Sequence, residues 1–168
     1  EKRGTLIEFV PDNTKGLFEN YRFRDDFIET MMRNYAYLNV GLTLSYNGKK
    51  YSSKNGLFDL LTETMTVDPL YPIIHIQGED IEIALCHTDQ TGEEYHSFVN
   101  GQHTIQGGTH QSAFREAFGK TIKEYYNKNG MELSDIRSGL VAAVSVSVQD
   151  PVFESQTKVK LGSKDMGP

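Results

Sequence analysis

Apolar residues recur along this chain with two alternating periods, and each change of period marks an element. Thr5-Leu-Ile-Glu-Phe-Val10 has the composition of a strand and is stopped by Pro11-Asp-Asn13. Phe27, Ile28, Met31, Met32, Tyr35 and Leu38 then follow helical spacing, and Asp25 and Asp26 stand at the helix start, where carboxylates suit the dipole. Leu42-Thr-Leu-Ser-Tyr46 returns to alternation, meets Asn47-Gly48 and resumes in Lys49-Lys-Tyr-Ser52, the pattern of a hairpin. Leu57 to Met65 predicts a short helix. Ile73-Ile-His-Ile76 and Ile81-Glu-Ile-Ala-Leu85 flank Gly78-Glu-Asp80 and predict a second hairpin, with Glu94-Tyr-His-Ser-Phe-Val99 as the next strand.

The second half holds one long helix and one long strand. Ala113, Phe114, Ala117, Phe118, Thr121, Ile122 and Tyr125 mark one helical face, with Thr109 as the expected cap. Glu132 to Arg137 predicts a short helix or turn. Leu140 to Val148 predicts a strand with Val144, Val146 and Val148 on one face and Ser145 and Ser147 on the other. Strands come in groups with helices between them, so the expected class is α+β, a two-layer sandwich in one domain.

Composition narrows the class. The chain has 168 residues, enough for one domain with a real core. Hydrophobic residues are 38% and charged residues 24%, which excludes an intrinsically disordered chain. No apolar run reaches membrane-span length, and no leader marks secretion. Cys86 is the only cysteine, so no internal disulfide is available and a cytoplasmic setting is expected. Its place in Ile81-Glu-Ile-Ala-Leu-Cys86 reads as a buried small side chain. The net charge of −6 argues against an autonomous nucleic-acid binder. The start at Glu1 and the end at Gly167-Pro168 predict an excised piece of a longer polypeptide.

Candidate chemistry is sparse outside one loop. Gly119-Lys-Thr121 resembles the end of a phosphate-binding P-loop, but Phe114 stands where that loop needs a glycine. His75, His87, His96, His103 and His110 are scattered and define no metal site. His75 reads as a satisfied core histidine and His110 as having a cap role at a helix start. Arg115, Lys120, Lys123 and Lys128 recur along the long helix, diluted by Glu116 and Glu124, and read as a solvated face. After the last strand, Pro151-Val-Phe-Glu-Ser-Gln-Thr-Lys-Val-Lys-Leu-Gly162 carries Gln156, Thr157 and Lys158 into an exposed loop. A lysine there is a mobile point charge suited to a phosphate.

This segment resembles the Gln-Thr-Lys loop in the ATPase subunit of type IIA DNA topoisomerases. Gly4-Thr-Leu-Ile-Glu-Phe-Val-Pro-Asp12, Phe98-Val-Asn-Gly101, Gln106-Gly-Gly-Thr-His110 and Asp135-Ile-Arg-Ser-Gly-Leu140 resemble further signatures of the same subunit, in the same order. Gln106 and Gln149-Asp-Pro151 are nearer to the topoisomerase IV branch than to the gyrase branch. The resemblance implies the transducer domain over residues 1–162, with residues 151–162 as the loop and its flanks and 163–168 as the start of a linker. It implies a fold with a left-handed βαβ crossover, shared with GHMP kinases, and a preceding GHKL-type ATPase domain outside this chain.

The resemblance also implies a mechanism. Lys158 would reach the γ-phosphate of ATP held by the ATPase domain, and the Gln156 amide would help to hold it. Thr157 would shape the loop. Mg²⁺ and the general base would belong to the ATPase domain, so the chain alone is expected to be inactive. Double-stranded DNA, the DNA-cleaving A-type subunit and a second copy of the ATPase subunit are the implied partners, with Arg115, Lys120 and Lys123 as possible DNA-facing residues. Two other readings remain: a GHMP-type small-molecule kinase, for which Gly107-Gly-Thr109 is a sparse phosphate loop, and a non-catalytic nucleic-acid- or protein-binding module, which the net charge fits poorly.

Overall fold

A computed structural model describes residues 3–126 and 130–164. Its elements, in chain order, are α1 (Asp25–Leu38), β1 (Leu44–Tyr46), β2 (Lys49–Tyr51), α2 (Leu57–Thr64), β3 (Ile74–Gln77), β4 (Ile81–His87), β5 (Glu93–Val99), β6 (Gln102–His103), α3 (Thr109–Tyr126), α4 (Leu133–Arg137) and β7 (Leu140–Val146). The β1–β2 hairpin turns through Asn47 (φ 48°) and Gly48 (φ 80°), the left-handed pair that a two-residue turn requires. The main sheet has five strands in the order β3-β4-β7-β5-β6. It is mixed: β7 is antiparallel to β4 and parallel to β5. The path from β5 through α3 to β7 is thus a βαβ unit between adjacent strands.

β7 is the centre of the molecule. Its Leu140-Val-Ala-Ala-Val144 run is apolar without alternation, the pattern of a strand covered on both faces. On one face, Val141 and Ala143 join Ala84, Cys86 and Phe98 beneath Leu57, Leu60 and Leu61 of α2 and Tyr37 of α1. On the other, Leu140, Ala142, Val144 and Val146 meet Phe114 and Phe118 of α3. The mixed α/β architecture agrees with expectation. α1 and α2 add a helical layer opposite α3, which the two-layer reading did not include.

Three local expectations change. Residues Thr5–Val10 form no strand, because no edge pairs with them; Leu6, Ile7, Phe9 and Val10 are 71–84% exposed. On α3 the row turned towards the sheet is Phe114, Phe118 and Ile122, each half-buried, while Ala117, Thr121 and Tyr125 face solvent, because a single i, i+4 row meets the sheet. Of the expected linker, Ser163 is buried and its Oγ accepts from the Val152 N–H at 2.9 Å. Residues 165–168, and Lys128, lie outside the described residues.

Candidate functional site

The candidate loop is a hairpin, and its geometry follows from where β7 stops. Asn100 pins the exit: its Nδ2 donates to the Val148 carbonyl at 2.9 Å and its Oδ1 accepts from the Val148 N–H at 2.8 Å. Beyond Asp150 the chain runs out and folds back. Phe153 forms an antiparallel bridge with Leu161, the Glu154 N–H donates to the Lys160 carbonyl at 3.0 Å, and the Gly162 N–H donates to the Val152 carbonyl at 2.7 Å.

Gln156 and Thr157 sit at the tip and Lys158 just past it, all exposed. The Lys158 N–H closes the turn on the Ser155 carbonyl at 3.0 Å, and the Ser155 and Thr157 hydroxyls lie 2.7 Å apart. Lys158 has φ 56°, a left-handed conformation that non-glycine residues seldom adopt. Its ammonium lies 5.9 Å from the Phe153 ring centroid and makes no salt bridge among the described residues. Lys160, two residues on, is tied to Glu154 at 2.9 Å. The hairpin therefore presents one cation at its tip with its charge unneutralised by a carboxylate and holds the other at its side.

The base of the hairpin is bonded to the start of α3. The Gln106 N–H donates to the Val159 carbonyl at 3.0 Å, the Leu161 N–H to the Gly107 carbonyl at 3.2 Å, and the Thr109 N–H to the Leu161 carbonyl at 3.0 Å. Leu161 is fully buried with Val99, Val144 and Val146. The two sequence signatures that looked separate, Gln106–His110 and Pro151–Gly162, are one structural unit.

This arrangement corrects the expected roles of Thr109 and His110. Thr109 is the first residue of α3, and its buried hydroxyl has no hydrogen-bond partner, so it is not a cap. The first orphan N–H of that turn, that of Thr109, is met by the Leu161 carbonyl of the hairpin instead. His110 is buried: its Nε2 lies 3.2 Å from Thr104 Oγ1, within a cluster that includes Ser97, and its Nδ1 is unpartnered. Burial lowers its pKa to about 4, so it is neutral at physiological pH.

The basic residues of α3 divide. Arg115 is bound by Glu93, whose carboxylate also takes Arg137 at 3.2 Å and the Tyr95 hydroxyl at 2.6 Å. These donors, Arg115 foremost, hold the Glu93 pKa down at about 2. Lys120 pairs with Glu116 one turn earlier at 2.5 Å. Lys123 makes no salt bridge among the described residues. Arg115 borders a cleft with Glu154 and Lys160 of the hairpin, and Lys158 is not among the residues that line it. His75 bonds Glu82 at 2.9 Å, as a satisfied histidine should, and Cys86 is buried. Gly119 is buried inside α3, so the Gly119-Lys-Thr121 stretch is helix and not a phosphate loop. Among the described residues, no group of three or more His, Cys, Asp or Glu side chains converges on a metal position, and no helix is long and apolar enough to cross a membrane. The sequence reading missed Glu93 and Leu161. A lone Glu in a strand gives no signal of two arginine partners, whereas Leu161, apolar between Lys160 and Gly162, offered a hint of an anchored hairpin base.

Comparison with known proteins agrees with this geometry. The family model described as DNA gyrase B matches residues 26–168. The B-type subunit of DNA topoisomerase 4 from Borreliella burgdorferi is 46% identical over 164 residues, 97% of this chain and 27% of that protein. The B-type subunit of DNA gyrase from Helicobacter pylori is 35% identical over 181 residues, 97% of this chain and 23% of that protein. Among solved structures, the 43K ATPase domain of Thermus thermophilus gyrase B in complex with an aminocoumarin superposes with a TM-score of 0.71 at 27% identity, over 90% of this chain and 46% of that one. The B-subunit of the DNA gyrase from Myxococcus xanthus superposes with a TM-score of 0.76 over 99% of this chain and 60% of that one, and at 20% identity this likeness shows the fold alone.

Fold and sequence together define a segment of the B-type subunits of type II topoisomerases. The chain belongs to the DNA gyrase B family, and the unit it represents is the transducer domain. It spans about a quarter of the length of these two relatives. The Borreliella topoisomerase 4 protein is more similar to it than the Helicobacter gyrase protein, in line with Gln106 and Gln149-Asp-Pro151.

Proposed function

We propose that this domain senses the terminal phosphate of ATP through Lys158 and couples ATP binding and hydrolysis to DNA strand passage by a type II topoisomerase. The observation that carries this reading is the Lys158 ammonium at the tip of a hairpin rooted in both β7 and α3, with no carboxylate salt bridge among the described residues. A hydrated lysine head group placed against a γ-phosphate stabilises the charge on the transferring phosphoryl oxygens. The Gln156 amide donates a further hydrogen bond to the same phosphate, and the Ser155–Thr157 hydroxyl contact shapes the turn that presents both.

In this account a GHKL-type ATPase domain, in the same polypeptide, holds ATP with Mg²⁺ and supplies the general base. The transducer domain adds the sensor. With the γ-phosphate present, Lys158 ties the two domains at one angle; phosphate release removes the tie, giving a ligand-dependent two-state element. The motion accompanies clamp closure by two ATPase subunits around a DNA duplex that the A-type subunit has opened, in the cytoplasm. By itself the domain neither hydrolyses ATP nor cleaves DNA. Arg115 enters a DNA-facing role only by leaving Glu93, so Lys123 is the more available contact.

Replacing Lys158 by Ala in the ATP-hydrolysing subunit tests the reading. Loss of one preorganised charge on the reacting group costs on the order of 10²-fold or more in kcat. Nucleotide affinity and folding stay near wild type. Undiminished turnover would remove Lys158 from the reaction, and saturable ATP binding by the domain alone would favour a self-sufficient kinase instead.

A further inference from the structure

On the reading of Lys158 given above, we infer that Gly108 is a positioning residue for ATP hydrolysis: it sets where Lys158 can reach by letting the hairpin base lie against the start of α3. A lysine side chain is flexible, so placing its ammonium within hydrogen-bond distance of one phosphate requires a fixed backbone beneath it. The turn at Ser155–Lys158 does not supply that alone, since it stands on exposed residues. Fixation comes from the seam between residues 106–109 and 159–161, with its three cross-bonds of 3.0–3.2 Å.

Gly108 lies in the middle of that seam and forms a parallel bridge with Leu161. Its φ is +138°, and a Cβ at this position would stand 2.5 Å from both the Leu161 nitrogen and its oxygen. These are backbone atoms of a fully buried residue, so neither partner can turn aside. Any side chain at 108 must therefore push the returning strand of the hairpin away from α3. Lys158 lies only three residues from the displaced point. A misplacement of about 1 Å costs a reacting group on the order of 10²-fold in rate.

The neighbouring glycine supplies a matched comparison. Gly107 is also left-handed, at φ +69°, and the atoms nearest its added Cβ would be those of the Gln111 side-chain amide, from 2.8 Å, an amide that the Ser97 hydroxyl bonds at 3.1 Å. That amide is the far end of a flexible side chain and can move. Both positions strain an alanine, but only position 108 forces the hairpin off its seat. The seat itself is rigid: Phe114 of α3 packs against the sheet core, and Arg115 holds Glu93 of β5.

The test is a double-mutant cycle on kcat in the ATP-hydrolysing subunit that carries this domain, with nucleotide affinity measured in parallel. Lys158→Ala is expected to lower kcat by on the order of 10²-fold. Gly108→Ala is expected to lower it at least ~10-fold with affinity held, and Gly107→Ala by less. The double variant Gly108→Ala/Lys158→Ala is expected to match Lys158→Ala alone, because a positioning residue has nothing left to position. A double variant slower than Lys158→Ala by the full Gly108 factor, or equal losses at 107 and 108, would overturn the role of Gly108 while leaving Lys158 in place. Unchanged kcat in Lys158→Ala would overturn the reading of Lys158, and the role of Gly108 with it. Should Gly108→Ala fail to fold, amide exchange in the otherwise unaltered subunit decides: a non-hydrolysable ATP analogue should slow exchange at Thr109 and Leu161, and Lys158→Ala should abolish that slowing. Slowing that survives in Lys158→Ala, or none in the wild type, would overturn the proposal.

Discussion

Arg115 grips Glu93 at both ends: its Nε and Nη2 each lie 2.7 Å from a different oxygen of the carboxylate. The contact joins α3 to the start of β5, at the end of β5 away from the hairpin that α3 also carries. Glu93 receives Arg137 as well, so one carboxylate ties three elements. Removing it would leave two guanidinium groups without their shared acceptor. Glu93→Ala is expected to destabilise the protein by about 2 kcal/mol, the scale of hydrogen bonds to charged groups, in urea unfolding at neutral pH.

The same carboxylate sets an acid dependence. Its pKa falls from 4.5 to about 2 on folding, chiefly through the hydrogen bonds from Arg115. A depressed acid stabilises the folded state above its unfolded pKa. That contribution is therefore complete above about pH 4.5 and is lost as pH falls towards 2. Unfolding midpoints followed down this range should fall less steeply in Glu93→Gln than in the wild type.

His110 adds a slope at milder pH. Burial lowers its pKa from 6.5 to about 4, so the unfolded chain binds its proton first as pH falls. Stability is unaffected by this group above about pH 6.5 and declines between there and about pH 4. Replacing His110 by Gln should remove that part of the pH dependence, measured as the midpoint difference across the interval.

Leu61 is fully buried between α2 and the sheet, against Ala84, Cys86 and Val141. Small residues on those strands leave little that can collapse into a hole. Leu61→Ala is expected to cost about 3 kcal/mol, within the usual range for a buried leucine, by chemical denaturation.

Most of the architecture was legible because it rests on local patterning. Asn47-Gly48 named its turn, the Leu140–Val148 run named a strand two residues longer than β7, and the residues read as the face of α3 included Phe114, Phe118 and Ile122. The failures share one cause, long-range pairing. Leu6, Ile7, Phe9 and Val10 have strand composition but no partner to complete a ladder, and Thr109 has a capping side chain that stays unpartnered while the Leu161 carbonyl takes its N–H. Lys158 was legible as a residue type at a loop tip. Its anchorage through Gly108 and Leu161 was not, since a contact between positions 53 apart leaves no periodic trace.

The most direct test of the central claim is to label lysine amines in the ATP-hydrolysing subunit and read Lys158 by mass spectrometry, with no nucleotide, with ADP and with a non-hydrolysable ATP analogue. Lys158 is exposed, so it should label readily in the free subunit. Contact with the γ-phosphate requires strong protection by the ATP analogue, little by ADP, and unchanged labelling of Lys123 throughout. Equal labelling of Lys158 in all three states would show that its ammonium does not meet the phosphate, and would contradict the account.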